Sequence, residues 1–98
     1  MNIDRFRRLV LDGKYFFYAH ALTEAKKDGI TPEDAVHAIL TGEVIEEYLD
    51  RQRVLIFATI SQNIPLHVVC DHSQENVLLI VTVYIPDNRL WIGFKIRR

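Results

Sequence analysis

Up to Gly42 the apolar residues recur every three to four positions; beyond it they alternate or run on without a break. Ile3, Phe6, Leu9 and Val10 mark a first helix over Ile3 to Leu11. Gly13 can take the left-handed conformation that ends it. Lys14 to Tyr18 is rich in aromatics and reads as extended chain or a turn. A second helix is predicted from Ala19 to Asp28, with Ala21, Leu22 and Ala25 inward and Gly29 as its stop. The third has the clearest local signal. Thr31 suits a cap, Pro32 the first helical position, and Glu33 and Asp34 the positive end of the dipole. Ala35, Val36, Ile39 and Leu40 give it an apolar stripe, with His37 on its flank, and Gly42 closes it.

Four strands are predicted after Gly42, over Val44 to Leu49, Val54 to Ile60, Leu66 to Asp71 and Val77 to Ile85. The connectors Asp50 to Arg53, Ser61 to Pro65 and His72 to Asn76 are short and polar, so consecutive strands form an antiparallel meander. Helices before strands predict an α+β fold, with the helices on one face of that four-stranded sheet. The tail alternates Leu90, Ile92, Phe94 and Ile96 against Trp91, Gly93 and Lys95, the pattern of a fifth strand on an edge.

Strict alternation assigns the faces. Val77, Leu79, Val81, Val83 and Ile85 turn towards the helices, and Leu66, Val68 and Cys70 join them. His67, Thr82 and Tyr84 then share the outer face, with His67 opposite Thr82, Val69 opposite Ile80 and Asp71 opposite Leu78. Glu46 is expected on the same side as Val44 and Tyr48.

Ninety-eight residues, 49% hydrophobic and 26% charged, are read as a single domain with a core of its own. No apolar run is long enough to span a bilayer as a helix, and the opening residues lead into no long apolar segment. Cys70 is the only cysteine, so no internal disulfide can form and a cytoplasmic location is the expectation. The net charge of −1 counts against a domain built mainly to grip a nucleic-acid backbone. Basic residues cluster at the two ends, Arg5, Arg7 and Arg8 against Arg89, Lys95, Arg97 and Arg98, with Glu43, Glu46, Glu47 and Asp50 between. Either the ends meet in a local basic face or these charges are simply solvated.

Five motifs stand in order: His20-Ala21, Gly29-Ile30, Gly42-Glu43-Val44-Ile45-Glu46-Glu47-Tyr48, Pro65-Leu66-His67-Val68-Val69 and Val81-Thr82-Val83-Tyr84-Ile85-Pro86. Together they resemble an uncharacterised bacterial and archaeal domain family of unknown function, over about Ile3 to Trp91. That family looks related to RelE-type toxins and other small ribonucleases of the barnase-like group. The resemblance implies one RelE-like domain over residues 1–98, acting as a metal-independent ribonuclease or a toxin-like RNA-binding protein. One departure is local. Relatives carry an Arg-Met or similar pair and a further Arg after the His-Ala start, where this chain has Thr23, Glu24, Ala25, Lys26, Lys27 and Asp28.

For such chemistry the candidate catalytic residues are His20, His67 and Glu46, and the candidate binding residues are Lys14, Arg53, Thr82 and Tyr84. The two imidazoles titrate near neutral pH and suit proton transfer. Each has a structural alternative: His20 bonding a carbonyl or Glu46, His67 bonding Thr82 or Tyr84 across the sheet. Glu46 can orient a histidine or be solvated. Lys14 or Arg53 can supply charge to a phosphate. Tyr84 can stack on an unpaired base or pack against Trp91. Cys70 and His72 share a strand face, but two ligands make no metal site. With no Gly-rich phosphate loop, nucleophile elbow or paired cysteines, no cofactor is expected. The expected partner is single-stranded RNA, or else a protein: a toxin–antitoxin-like partner or a second copy joined through a sheet edge.

Overall fold

The computed structural model describes residues 3–98. Its helices are α1 (Ile3–Leu11), α2 (Ala19–Lys27) and α3 (Pro32–Thr41). Thr31 caps the start of α3 as its sequence foretells, and Asp34 completes a capping box. The Thr31 hydroxyl accepts from the Asp34 N–H at 3.1 Å, and the Asp34 carboxylate accepts from the Thr31 N–H at 3.0 Å. None of the helices is long and apolar enough to cross a membrane.

The α+β class holds, but the expected four-stranded antiparallel meander is corrected to a five-stranded mixed sheet. Its strands are β1 (Tyr15–Phe17), β2 (Glu43–Tyr48), β3 (Arg53–Ile60), β4 (Ile64–Asp71) and β5 (Leu78–Tyr84), in the order β1-β5-β4-β3-β2. β2 to β5 do run antiparallel in sequence. The addition is β1, the aromatic stretch after α1, which pairs parallel with β5. The tail joins this sheet at no edge. Instead β6 (Trp91–Ile92) and β7 (Ile96–Arg97) form a separate hairpin. Its turn puts Gly93 and Phe94 at φ of 58° and 64°, with the Lys95 N–H donating to the Ile92 carbonyl.

Two bulges overturn the strict alternation expected of the strands. On β5, Thr82 pairs with Val69 and Ile80 with Cys70, which leaves Val81 as the extra residue. Alternation therefore changes phase there. Leu78 and Ile80 join Val83 in the helix-facing core, and Leu79 turns outward, the reverse of the sequence expectation. On β2, Val44 pairs with Ile56 and Glu46 with Leu55, so Ile45 is the extra residue. Val44 packs against the core, and Glu46 lies on the opposite side from it, with Tyr48.

The core lies between the helices and one sheet face. Phe6 and Val10 of α1, Ala21 and Ala25 of α2, and Ala35, Ala38 and Ile39 of α3 meet Val54, Ile56, Leu66, Val68, Leu78 and Ile80. Small alanines let α2 and α3 approach the sheet closely. Burying this apolar surface supplies the main drive to fold. The helices leave the other face of the sheet uncovered.

Candidate functional site

Three cross-strand rows tile that other face. The first runs Tyr84, His67, Phe57, Glu43 and the second Thr82, Val69, Leu55, Glu46. The third runs Phe16, Leu79, Asp71, Arg53, Tyr48. His67, Thr82 and Tyr84 do share the face, as alternation predicts. The register differs, because the bulge at Val81 sets His67 opposite Tyr84 and Val69 opposite Thr82.

The β6–β7 hairpin covers the first row. Trp91, buried, stands edge-on to the His67 ring with centroids 4.5 Å apart. Phe57 and Tyr84 close on the same imidazole at 5.9 and 5.2 Å. His67 has 0% exposure. Its Nε2 lies 2.6 Å from the Phe94 carbonyl oxygen and its Nδ1 3.0 Å from the Tyr84 hydroxyl. Burial pushes the imidazole below its ordinary pKa, against the opposing pull of the Phe94 carbonyl and Glu46. The neutral ring then donates from Nε2 to Phe94 and accepts the Tyr84 O–H at Nδ1. Burial likewise pushes the Tyr84 phenol up to about 12.

Beside this lies a charged network. Arg97 reaches both Glu46 carboxylate oxygens at 3.1 and 3.0 Å and stacks over the Trp91 ring at 4.6 Å. The Tyr48 hydroxyl donates to Glu46 Oε1 at 2.5 Å. Burial and the Glu46 bond both raise the Tyr48 pKa, and Arg97 opposes them. Lys95 pairs with Glu43 at 2.9 Å. The basic tail thus lies on the acidic middle of the chain.

The remainder of the face is open. Tyr48, Asp50, Arg51, Arg53 and Val69 line a hollow of about 250 Å³ at the β2–β3 end. Arg53 Nε bonds Asp71 Oδ2 at 3.2 Å. Burial pushes the Asp71 carboxyl up, but hydrogen bonds from Ser73 and Arg53 outweigh it and hold the group below its usual range. Thr82 sits half-buried next to Val69.

The sequence candidates therefore divide. Glu46, His67 and Tyr84 lie under or beside the tail hairpin, and Arg53 and Thr82 lie on the open part. His20 is exposed at the start of α2. The Tyr18 N–H donates to the Ile80 carbonyl at 2.9 Å, which ties that start to the edge of β5, two residues from Thr82. α2 packs on the core side of the sheet through Ala21 and Ala25, whereas His67 lies on the outer face. Lys14 lies apart, lining a hollow with Arg5, Arg8 and Asp12 at the α1 end. Cys70 is buried on the core side, and burial pushes its thiol well above the usual range.

Sequence reasoning missed Tyr48, Arg97 and Phe16 as members of this face. Alternation in the tail hints at Trp91 and Arg97, since both occupy its non-aliphatic phase. Nothing local marks Phe16, whose side of the sheet is set by pairing with a distant strand.

No curated protein and no solved structure matches the chain. A family model described as "Domain of unknown function (DUF4258)" matches residues 17–85, a span that holds α2, α3, the four-strand meander and every candidate above except Lys14. The chain belongs to that family, and the tail hairpin that covers His67 lies beyond the matched residues.

Proposed function

We propose that this is a RelE-like RNA-binding domain that cleaves single-stranded RNA without a metal ion, on the open part of the outer sheet face. The observation that carries the reading is the border of that face. An exposed imidazole, His20, opens the helix whose start is tied to Ile80 of β5, two residues along the strand from Thr82, and Arg53 stands two strands from Thr82 on the outer face. The three helices ahead of β2 and the antiparallel run of β2 to β5 support the RelE likeness.

Cleavage by this route removes the 2′-hydroxyl proton, lets that oxygen attack the phosphorus, and returns a proton to the leaving 5′-oxygen. His20 is the group that exchanges protons with solvent and substrate. Arg53 offsets charge on the phosphate, and Thr82 hydrogen-bonds a phosphate or ribose oxygen. His67 and Glu46 act as positioning residues. His67 holds Tyr84 and the tail, and Glu46 holds Tyr48 and Arg97.

The test incubates purified protein with single-stranded RNA, with and without a chelator. Wild type should leave 2′,3′-cyclic phosphate ends whether or not chelator is present. His20→Ala, exposed and harmless to folding, should lose about a hundredfold in rate. Equal RNA decay in the two proteins, or none in wild type between about pH 5 and 8, overturns the catalytic reading and leaves a protein-interaction domain.

A further inference from the structure

The third row of the outer face joins an exposed ring to an ion pair whose acid, Asp71, is buried. Phe16 on β1 is 68% exposed, at the far edge from Tyr48 on β2. Five strands lie side by side between and including them, so the two rings stand about 19 Å apart at ~4.8 Å per strand. The floor between is Leu79, then the Asp71–Arg53 pair, with Val69 and Thr82 in the adjoining row. Arg51 projects at the Tyr48 end, exposed and without a hydrogen-bond or ion-pair partner among the described residues. The tail hairpin meets this row at its Tyr48 end, through Arg97, while its other polar and ring contacts fall on His67, Phe57, Glu43 and Glu46.

We infer that this row is a track for single-stranded nucleic acid, with Phe16 as the stacking platform at one end and Arg51 as a phosphate contact at the other. The inference rests on the RNA reading above and deepens it by naming residues outside the proposed chemistry. An aromatic ring on a sheet face accepts any unpaired base, because every base has a π-face. A duplex keeps its bases stacked inside and offers no such surface. The acids Asp50 and Asp71 stand close to Arg51 and Arg53, so the track carries little net charge. Stacking therefore outweighs counterion release, and affinity falls only gently with salt.

The experiment is an anisotropy titration with a labelled six-nucleotide single-stranded RNA and with the same sequence as a duplex. Wild type should bind the single strand and not the duplex. Phe16→Ala and Arg51→Glu should each weaken binding by roughly tenfold, the scale of losing one stacked base or phosphate contact. Lys27→Glu, a charge reversal on α2 whose lysine pairs with Glu24, should leave it unchanged. All are surface positions, and thermal melting checks that each variant folds. Binding that survives both Phe16→Ala and Arg51→Glu, equal binding of the duplex, or no binding by wild type overturns the track. So does a change in oligomeric state with Phe16→Ala while RNA binding persists, which would make this face a protein interface. The two proposals fail separately. Loss of binding in Phe16→Ala without cleavage by any variant keeps the track and removes the catalysis, whereas cleavage that needs His20 but ignores Phe16 does the reverse.

Discussion

Both ring nitrogens of His67 are engaged, and burial decides which charge state the fold tolerates. Its folded pKa lies below the ordinary 6.5, so below neutrality the unfolded chain takes up a proton that the folded chain refuses. The stability contribution of this residue is thus complete above about pH 6.5 and is lost as pH falls through that value towards the lowered one. Ring titration by NMR should give His67 a midpoint below that of a free histidine. Trp91→Ala should bring it back towards the ordinary value by letting water in. A wild-type midpoint at or above 6.5 would contradict the buried neutral ring. The side of the sheet on which His67 sits was legible from alternation alone. Its true partner was not, because a bulge at Val81 leaves no mark in a run of seven strand-forming residues. Nor was its cover, because Phe94 and Trp91 arrive from a segment with only its own short hairpin period.

Elements meet tightly where α3 ends and β2 begins. Gly42 has an ordinary φ of −86°, so its role is space. A Cβ there would stand 2.5 Å from the Phe57 carbonyl oxygen and 2.6 Å from that of Ala38. Its own carbonyl also accepts from Arg7 at 2.6 Å, which fastens α1 to the same junction. Gly42→Ala should destabilise by about 1–3 kcal/mol, the scale of overpacking. Thermal melting should show a drop of several degrees, and an unchanged midpoint would mean the junction yields freely. As an element boundary Gly42 was plain in the sequence, as was the capped start of α3. By contrast, β1 was visible only as extended chain. Three residues carry no period, and Tyr15 and Phe17 owe their strand state to Leu78 and Ile80, far along the chain.

At the scale of the whole molecule, the sheet has two coats. The helices cover one face and the tail hairpin covers part of the other. The α+β class followed from the change of period at Gly42. The second coat did not, since it depends on Arg97 finding Glu46 and Lys95 finding Glu43. Lys95–Glu43 is exposed on both sides and Arg97–Glu46 on its arginine side, so both are open to solvent screening and add little stability by themselves, which leaves Trp91 as the main hold.

The parallel pairing of β1 with β5 bears on the order of folding. β2 to β5 are joined by short turns and can zip together one hairpin at a time. β1 must wait, because Tyr15 meets Leu78 only after the chain between them has closed into a loop, and that entropy is charged before any contact repays it. The meander should therefore form in the transition state and β1 should dock after it. In stopped-flow kinetics, Val68→Ala should slow refolding, while Phe17→Ala should mainly hasten unfolding. Equal φ-values at the two positions would deny this order. If it holds, the edge that presents Phe16 is the last part of the sheet to assemble and the first to leave. A folding intermediate that lacks β1 would then keep Arg51, Arg53 and Tyr48 at one end of the third row while having no ring at the other end.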